Sequence, residues 1–81
     1  MFEIKIGDIS KAIGFVKACE KFNEDINYYY GRFIIDAKSL LGILSCSVEK
    51  PAKVEILTTN KTVIKEFEKA IEEWIIKEKE L

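Results

Sequence analysis

Ile35-Asp36-Ala37-Lys38-Ser39-Leu40-Leu41-Gly42-Ile43-Leu44-Ser45 reads as the end of a strand, a serine at a helix start, and one short helix with a strongly apolar face. Ser39 has the side chain of an N-cap, a role worth about 1 kcal/mol. From Ser39 to Ser45 there is room for only about two turns. A helix that short cannot bury every face, so some of Leu40, Leu41, Ile43 and Leu44 must be exposed, with Ile43 assigned to the core. An exposed apolar cluster marks a contact site, and Leu41 and Leu44 are the residues expected to form it. The competing reading makes most of these side chains core.

Working outward, Ile26 to Tyr30 and Arg32 to Ala37 are aromatic and β-branched runs flanking Gly31, the pattern of a hairpin. Tyr28 and Tyr30 share a side with Ile26, while Tyr29 faces the other way. Single-stranded nucleic-acid binders pair such rings with a positive groove, and here only Arg32 is near in sequence. Packing is therefore the expected role of the tyrosines. Upstream, Phe2, Ile4 and Ile6 alternate with Glu3 and Lys5 as in a half-buried strand. Gly7-Asp8 breaks that pattern, and Asp8 or Ser10 can cap the helix that follows. Its apolar stripe is Ile9, Ala12, Ile13, Val16, Cys19 and Phe22, and Asn23-Glu24-Asp25 ends it. Gly14 within this helix costs up to about 1 kcal/mol relative to alanine; close packing against a neighbour is the expected reason for it. Downstream, Pro51 marks a loop and Val54 to Thr59 a fourth strand. Asn60 or Thr62 caps a last helix expected to run nearly to the C-terminus. Its stripe is Ile64, Phe67, Ile71, Trp74 and Ile75, and its solvated face carries pairs such as Glu73 and Lys77.

The predicted order is βαββαβα. Strands too close in sequence for a long crossover pair antiparallel, and helices with one apolar stripe cover one sheet face. The expected fold class is α+β: an open-faced sandwich of a four-stranded antiparallel sheet covered on one face by three helices. Residues 1–81 are expected to form a single domain. The net charge of −1 offers no basic excess to neutralise phosphates, which argues against a nucleic-acid partner. The N-terminus has charges where a signal peptide needs an apolar run, and no apolar stretch approaches the roughly 20 residues that span a bilayer. A cytoplasmic protein with no membrane association is the expectation. Cys19 and Cys46 lack Cys-x-x-Cys spacing, and the chain holds no histidine, so no metal site is expected. Cys19 is read as a small core residue.

The segment Asp36 to Ser45 resembles the region around the regulatory serine of HPr, the histidine-containing phosphocarrier of the bacterial sugar phosphotransferase system. Phe15-Val16 resembles the apolar pair of that family's first helix, and the two landmarks give one register without gaps. The resemblance implies the open-faced sandwich above. It places the family's active-site loop on Gly7 to Lys11: Asp8 stands at the phosphorylated-histidine position, Ser10 at that of a phosphate-holding arginine, and Lys11 at that of a helix-starting proline. These departures imply a divergent member without phosphohistidine transfer: no enzyme, no cofactor, and a protein-interaction or regulatory module. They leave a degenerate loop at Asp8, Ser10 and Lys11. In the family a dedicated kinase phosphorylates the serine matched by Ser39, and the modified protein binds a transcription regulator. The resemblance makes Ser39 the candidate regulatory site, and Leu40, Leu41 and Leu44 the partner-binding patch. Phosphate on Ser39 would add about −2 charge facing free amides. Expected partners are phosphotransferase-system components, an HPr-type kinase or a transcription regulator, and the open sheet face with Tyr29 could support a homodimer. Two alternatives stay open: a phosphocarrier using Asp8 or Ser10 as acceptor, or a small-anion binder at the first helix's N-terminus.

Overall fold

The computed structural model describes residues 1–77. Its elements are β1 (Phe2–Ile4), α1 (Ile9–Glu20), β2 (Ile26–Tyr30), β3 (Phe33–Asp36), α2 (Leu40–Leu44), β4 (Ala52–Ile56) and α3 (Lys61–Ala70), followed by one 3-10 turn at Glu72–Trp74. The four strands form one antiparallel sheet in the order β1-β4-β2-β3. The predicted order and fold class are those observed.

Alternation along the strands divides the sheet into two faces. Ile4, Ile26, Tyr28, Ala52, Val54 and Ile56 are buried on the helix side. There they meet Ala12, Phe15, Val16 and Cys19 of α1, Ile43 of α2, and Phe67, Ile71 and Trp74 from the C-terminal segment. Phe15 is central to this layer. Its ring meets Trp74 edge-on at 5.4 Å and Tyr28 at 6.2 Å between centroids, geometry that adds about 0.5–1.5 kcal/mol per pair beyond burial. The opposite face is polar at its centre: Tyr29 donates from its hydroxyl to Glu55 Oε1 at 2.8 Å and accepts from Asn27 Nδ2 at 3.1 Å.

Several boundaries differ from expectation. The buried stripe of α1 is Ala12, Phe15, Val16 and Cys19, while Ile9 and Ile13 are exposed. Turning α1 this way brings the larger Phe15 ring into the core in place of two aliphatic side chains. The fourth strand lies two to three residues earlier than predicted, because Ala52 pairs with Ile4 and Ile26 pairs with Ile56. Asn60, rather than Thr62, caps α3: its Oδ1 accepts from the amides of Thr62 and Val63. The last helix stops at Ala70 because the chain turns back to the sheet. Lys5 N donates to Trp74 O, Ile76 N donates to Glu3 O, and Ile75 bridges Ile4. Glu73 and Lys77 therefore do not share a helix, and the expected continuation over 78–81 lies outside the described residues. Gly14 has room: a Cβ there would meet Trp74 Cζ2 at 3.5 Å, an ordinary contact. Close packing does not require a glycine at that position.

Candidate functional site

Two local motifs place the residues singled out in the sequence. At the start of α1, Gly7 adopts φ +107°, a region that side-chain-bearing residues rarely enter. Its amide donates to Val48 O at 2.7 Å, tying this turn to the loop after α2. The turn leaves Asp8 extended, and its Oδ1 accepts from Lys11 N at 2.8 Å as the N-cap of α1. Ser10 and Lys11 lie exposed in the first turn, where Ser10 is not the cap. The carboxylate of Asp8 thus occupies the helix end where an anion would otherwise dock, and its charge opposes one there.

At the start of α2, Ser39 is extended and its Oγ accepts from Gly42 N at 3.1 Å. The close fit of Gly42 sets this geometry, since a Cβ there would lie 2.7 Å from Ile35 Cγ2 and 3.2 Å from Ser39 Oγ. Asp36 prepares the entry by accepting from Lys38 N through Oδ1 and from Ser39 N through its carbonyl. Along α2, Ile43 is fully buried, Leu40 and Leu44 are half-buried, and Leu41 is 84% exposed. Of the three leucines assigned to a contact patch, Leu41 alone stands clear of the core, and its neighbours form its shoulders.

A cleft of about 720 Å³ joins the two helix regions, with Asp8, Ile9 and Ser10 on one wall and Leu44, Cys46 and Val48 on the other. Ser39 does not line it. Ile9, 61% exposed, does line it, although its spacing places it in the core stripe of α1. Its place as the first helical residue was the signal that it could face away. Cys46 is half-buried, with its thiol 3.8 Å from Gly42 O. Cys19 is fully buried, and burial pushes its thiol pKa up to about 12. Burial likewise pushes the Tyr28 hydroxyl up to about 12. Among the described residues no cluster of three or more His, Cys, Asp or Glu could hold a metal ion, and no helix is long and apolar enough to cross a membrane.

The fold is similar to that of Crh, the catabolite repression protein of Bacillus subtilis, whose solved structure is described as an intertwined dimer with a swapping domain. The match has a TM-score of 0.62 at 16% identity and covers 91% of this chain and 88% of that one. No curated protein matches the sequence. The family model for the PTS HPr component phosphorylation site matches residues 9–73, a span that includes α1, the hairpin, α2, β4 and α3. The chain belongs to the HPr family of the phosphotransferase system.

Proposed function

We propose that this protein is an HPr-family docking module that does not relay phosphate through histidine. Its contact surface is centred on Leu41, and phosphorylation of Ser39 regulates it. HPr-family proteins are phosphocarriers rather than catalytic enzymes, and the chain holds no histidine to carry the phosphate. Asp8, which stands at the corresponding position by resemblance, is engaged as a helix cap. The observation that carries the proposal is Leu41: a large apolar side chain, 84% exposed, two residues from a capping serine. A hydrophobic side chain held this far out on a short helix is suited to a partner's pocket. Phosphate on Ser39 would place new charge beside it, with amides of the same turn to donate hydrogen bonds to its oxygens. The partners are other proteins, of the phosphotransferase system or its regulators, in the cytoplasm.

Two incubations test this reading. With ATP and an HPr-type kinase, mass spectrometry should find one phosphate on Ser39; an unmodified chain would remove the regulatory half of the proposal. With phosphoenolpyruvate and enzyme I, no label should appear. A hydroxylamine-sensitive phosphate on Asp8 would show a working carrier with an unconventional acceptor and overturn the rest.

A further inference from the structure

The two edges of the sheet are treated differently. The outer edge of β1 is occupied, with Trp74, Ile75 and Ile76 lying along it and exchanging hydrogen bonds with Glu3 and Lys5. The outer edge of β3 has no strand beside it among the described residues. Natural sheets protect a free edge by shortness, charge, proline, a bulge or a covering element; Phe33-Ile34-Ile35-Asp36 is short and ends on a charge, but it has no proline and no central lysine. Instead it exposes two large apolar side chains: Phe33 is 62% and Ile34 67% exposed.

The backbone phase of β3 decides which groups point outward. Ala37 N donates to Ile26 O, and the ladder continues through Tyr28↔Ile35 and Tyr30↔Phe33. Antiparallel pairing alternates, so Phe33 and Ile35 turn their amides and carbonyls toward β2, while Ile34 turns its own to the free edge. A two-fold axis at Ile34 would let two copies exchange a reciprocal pair of N–H···O=C bonds there. The same axis sets Phe33 against Ile35 of the second copy, on the helix side of the sheet. It also sets Arg32 against Asp36 of the second copy, twice, on the open side with Ile34. The carbonyl of Asp36 already serves Ser39, and its Oδ1 serves Lys38 N. The ends of the pairing therefore contribute opposite charges rather than further ladder bonds. A centred run of Arg-Phe-Ile-Ile-Asp is self-complementary in charge, in apolar surface and in backbone phase only when read antiparallel to itself.

We infer that β3 is a self-association edge at which a second copy of this chain pairs antiparallel about Ile34, giving a continuous eight-stranded sheet. The interface is isologous, as a two-fold dimer requires. It is small, at the transient end below about 1,200 Å² of total buried surface. No element changes hands, which distinguishes it from an exchange of segments between copies.

The test needs no ligand: light scattering and sedimentation of the full chain across a concentration series, with three variants. Ile34→Lys should abolish dimer formation. Arg32→Asp alone and Asp36→Arg alone each place like charges face to face twice, and each should weaken association about tenfold, from two cross-strand pairs changing sign. Mixing those two variants restores both opposite-charge pairs, so the mixture should form a heterodimer of wild-type strength although each variant alone pairs with itself about tenfold more weakly. Circular dichroism on each variant establishes that the chain is folded. A wild-type chain that stays monomeric throughout the series, a dimer indifferent to Ile34→Lys, or a mixture that fails to recover would overturn the inference. So would a dimer that forms and dissociates only on unfolding, the behaviour of exchanged segments.

Discussion

Alanine at two helical glycines should move stability in opposite directions. Gly14 and Gly42 both lie inside helices, and on intrinsic preference alone alanine is favoured at each by about 0.8–1.0 kcal/mol. Their surroundings separate them. A Cβ at position 14 would touch Trp74 Cζ2 at 3.5 Å and force nothing, so Gly14→Ala should realise most of the intrinsic gain, about 0.5–1 kcal/mol. A Cβ at position 42 would lie 2.7 Å from Ile35 Cγ2. That methyl sits on the β-branched carbon of a strand residue whose χ1 is stiff, so it cannot swing aside without moving β3 or α2. Overpacking of this kind costs about 1–3 kcal/mol, and after the helix gain Gly42→Ala should be destabilised by about 1 kcal/mol. The two variants should thus differ by roughly 2 kcal/mol. In a chain of this size each kcal/mol moves the melting temperature by about 4–8 °C. Urea denaturation followed by circular dichroism, with the slope unchanged, measures both. If Gly42→Ala proves as stable as Gly14→Ala, the packing of α2 on β3 described above is wrong.

Removing either capping side chain, by Asp8→Ala or Ser39→Ala, should cost about 1 kcal/mol in urea denaturation. Asp8→Asn should cost far less, because asparagine caps equally well; an equal loss would show that the charge, and not the cap, matters. Among thiols, Cys46 should react with an aromatic disulfide reagent in the folded protein and Cys19 only on unfolding. Burial raises Cys19 from 9.0 to about 12 and Tyr28 from 10.0 to about 12. Their contribution to stability is therefore complete below pH 9.0 and is lost as pH rises toward about 12, because the unfolded chain ionises first. Urea midpoints that stay level above pH 9.0 in wild type, or that fall as steeply in Cys19→Ala, would contradict this assignment.

How much of this was readable in the sequence depends on whether the deciding contacts are local. The hairpin was plain because Ile26, Tyr28 and Tyr30 alternate with polar or oppositely placed residues around Gly31, and a turn needs little beyond its own residues. Both caps were also readable, since Asp8 and Ser39 act on amides three residues away. The face of α1 was readable only in part: Ala12, Val16 and Cys19 are buried as their spacing implies. Ile9 and Ile13 extend that stripe as well as Phe15 does, and only the presence of Trp74 and Tyr28 against Phe15 chooses between them. The end of α3 escaped for the same reason, because it is set by the bridge from Ile75 to Ile4 across the sheet. Leu57-Thr58-Thr59 looked more strand-like than Ala52-Lys53, yet the register is fixed by the partners of β4. The cleft beside Asp8 could not be seen at all, being assembled from segments some forty residues apart.

The segment that carried the family resemblance can be divided by asking what packing alone explains. Ile43 is required by the core, which its full burial shows. Gly42 is required by the approach of Ile35, and Ser39 by the free amide of Gly42. Asp36 is accounted for by Lys38 N and the turn into α2. A chain that needed only to fold would keep these residues whatever its function, so none of them separates a docking module from an inert relative. Leu41 is the residue of this segment that folding alone does not account for. At 84% exposure it gains little from burial, it caps nothing, and a lysine or glutamate there would serve the helix as well. The functional reading of α2 therefore rests on Leu41 more than on the serine beside it, and a partner that bound this protein without covering Leu41 would be using some other surface.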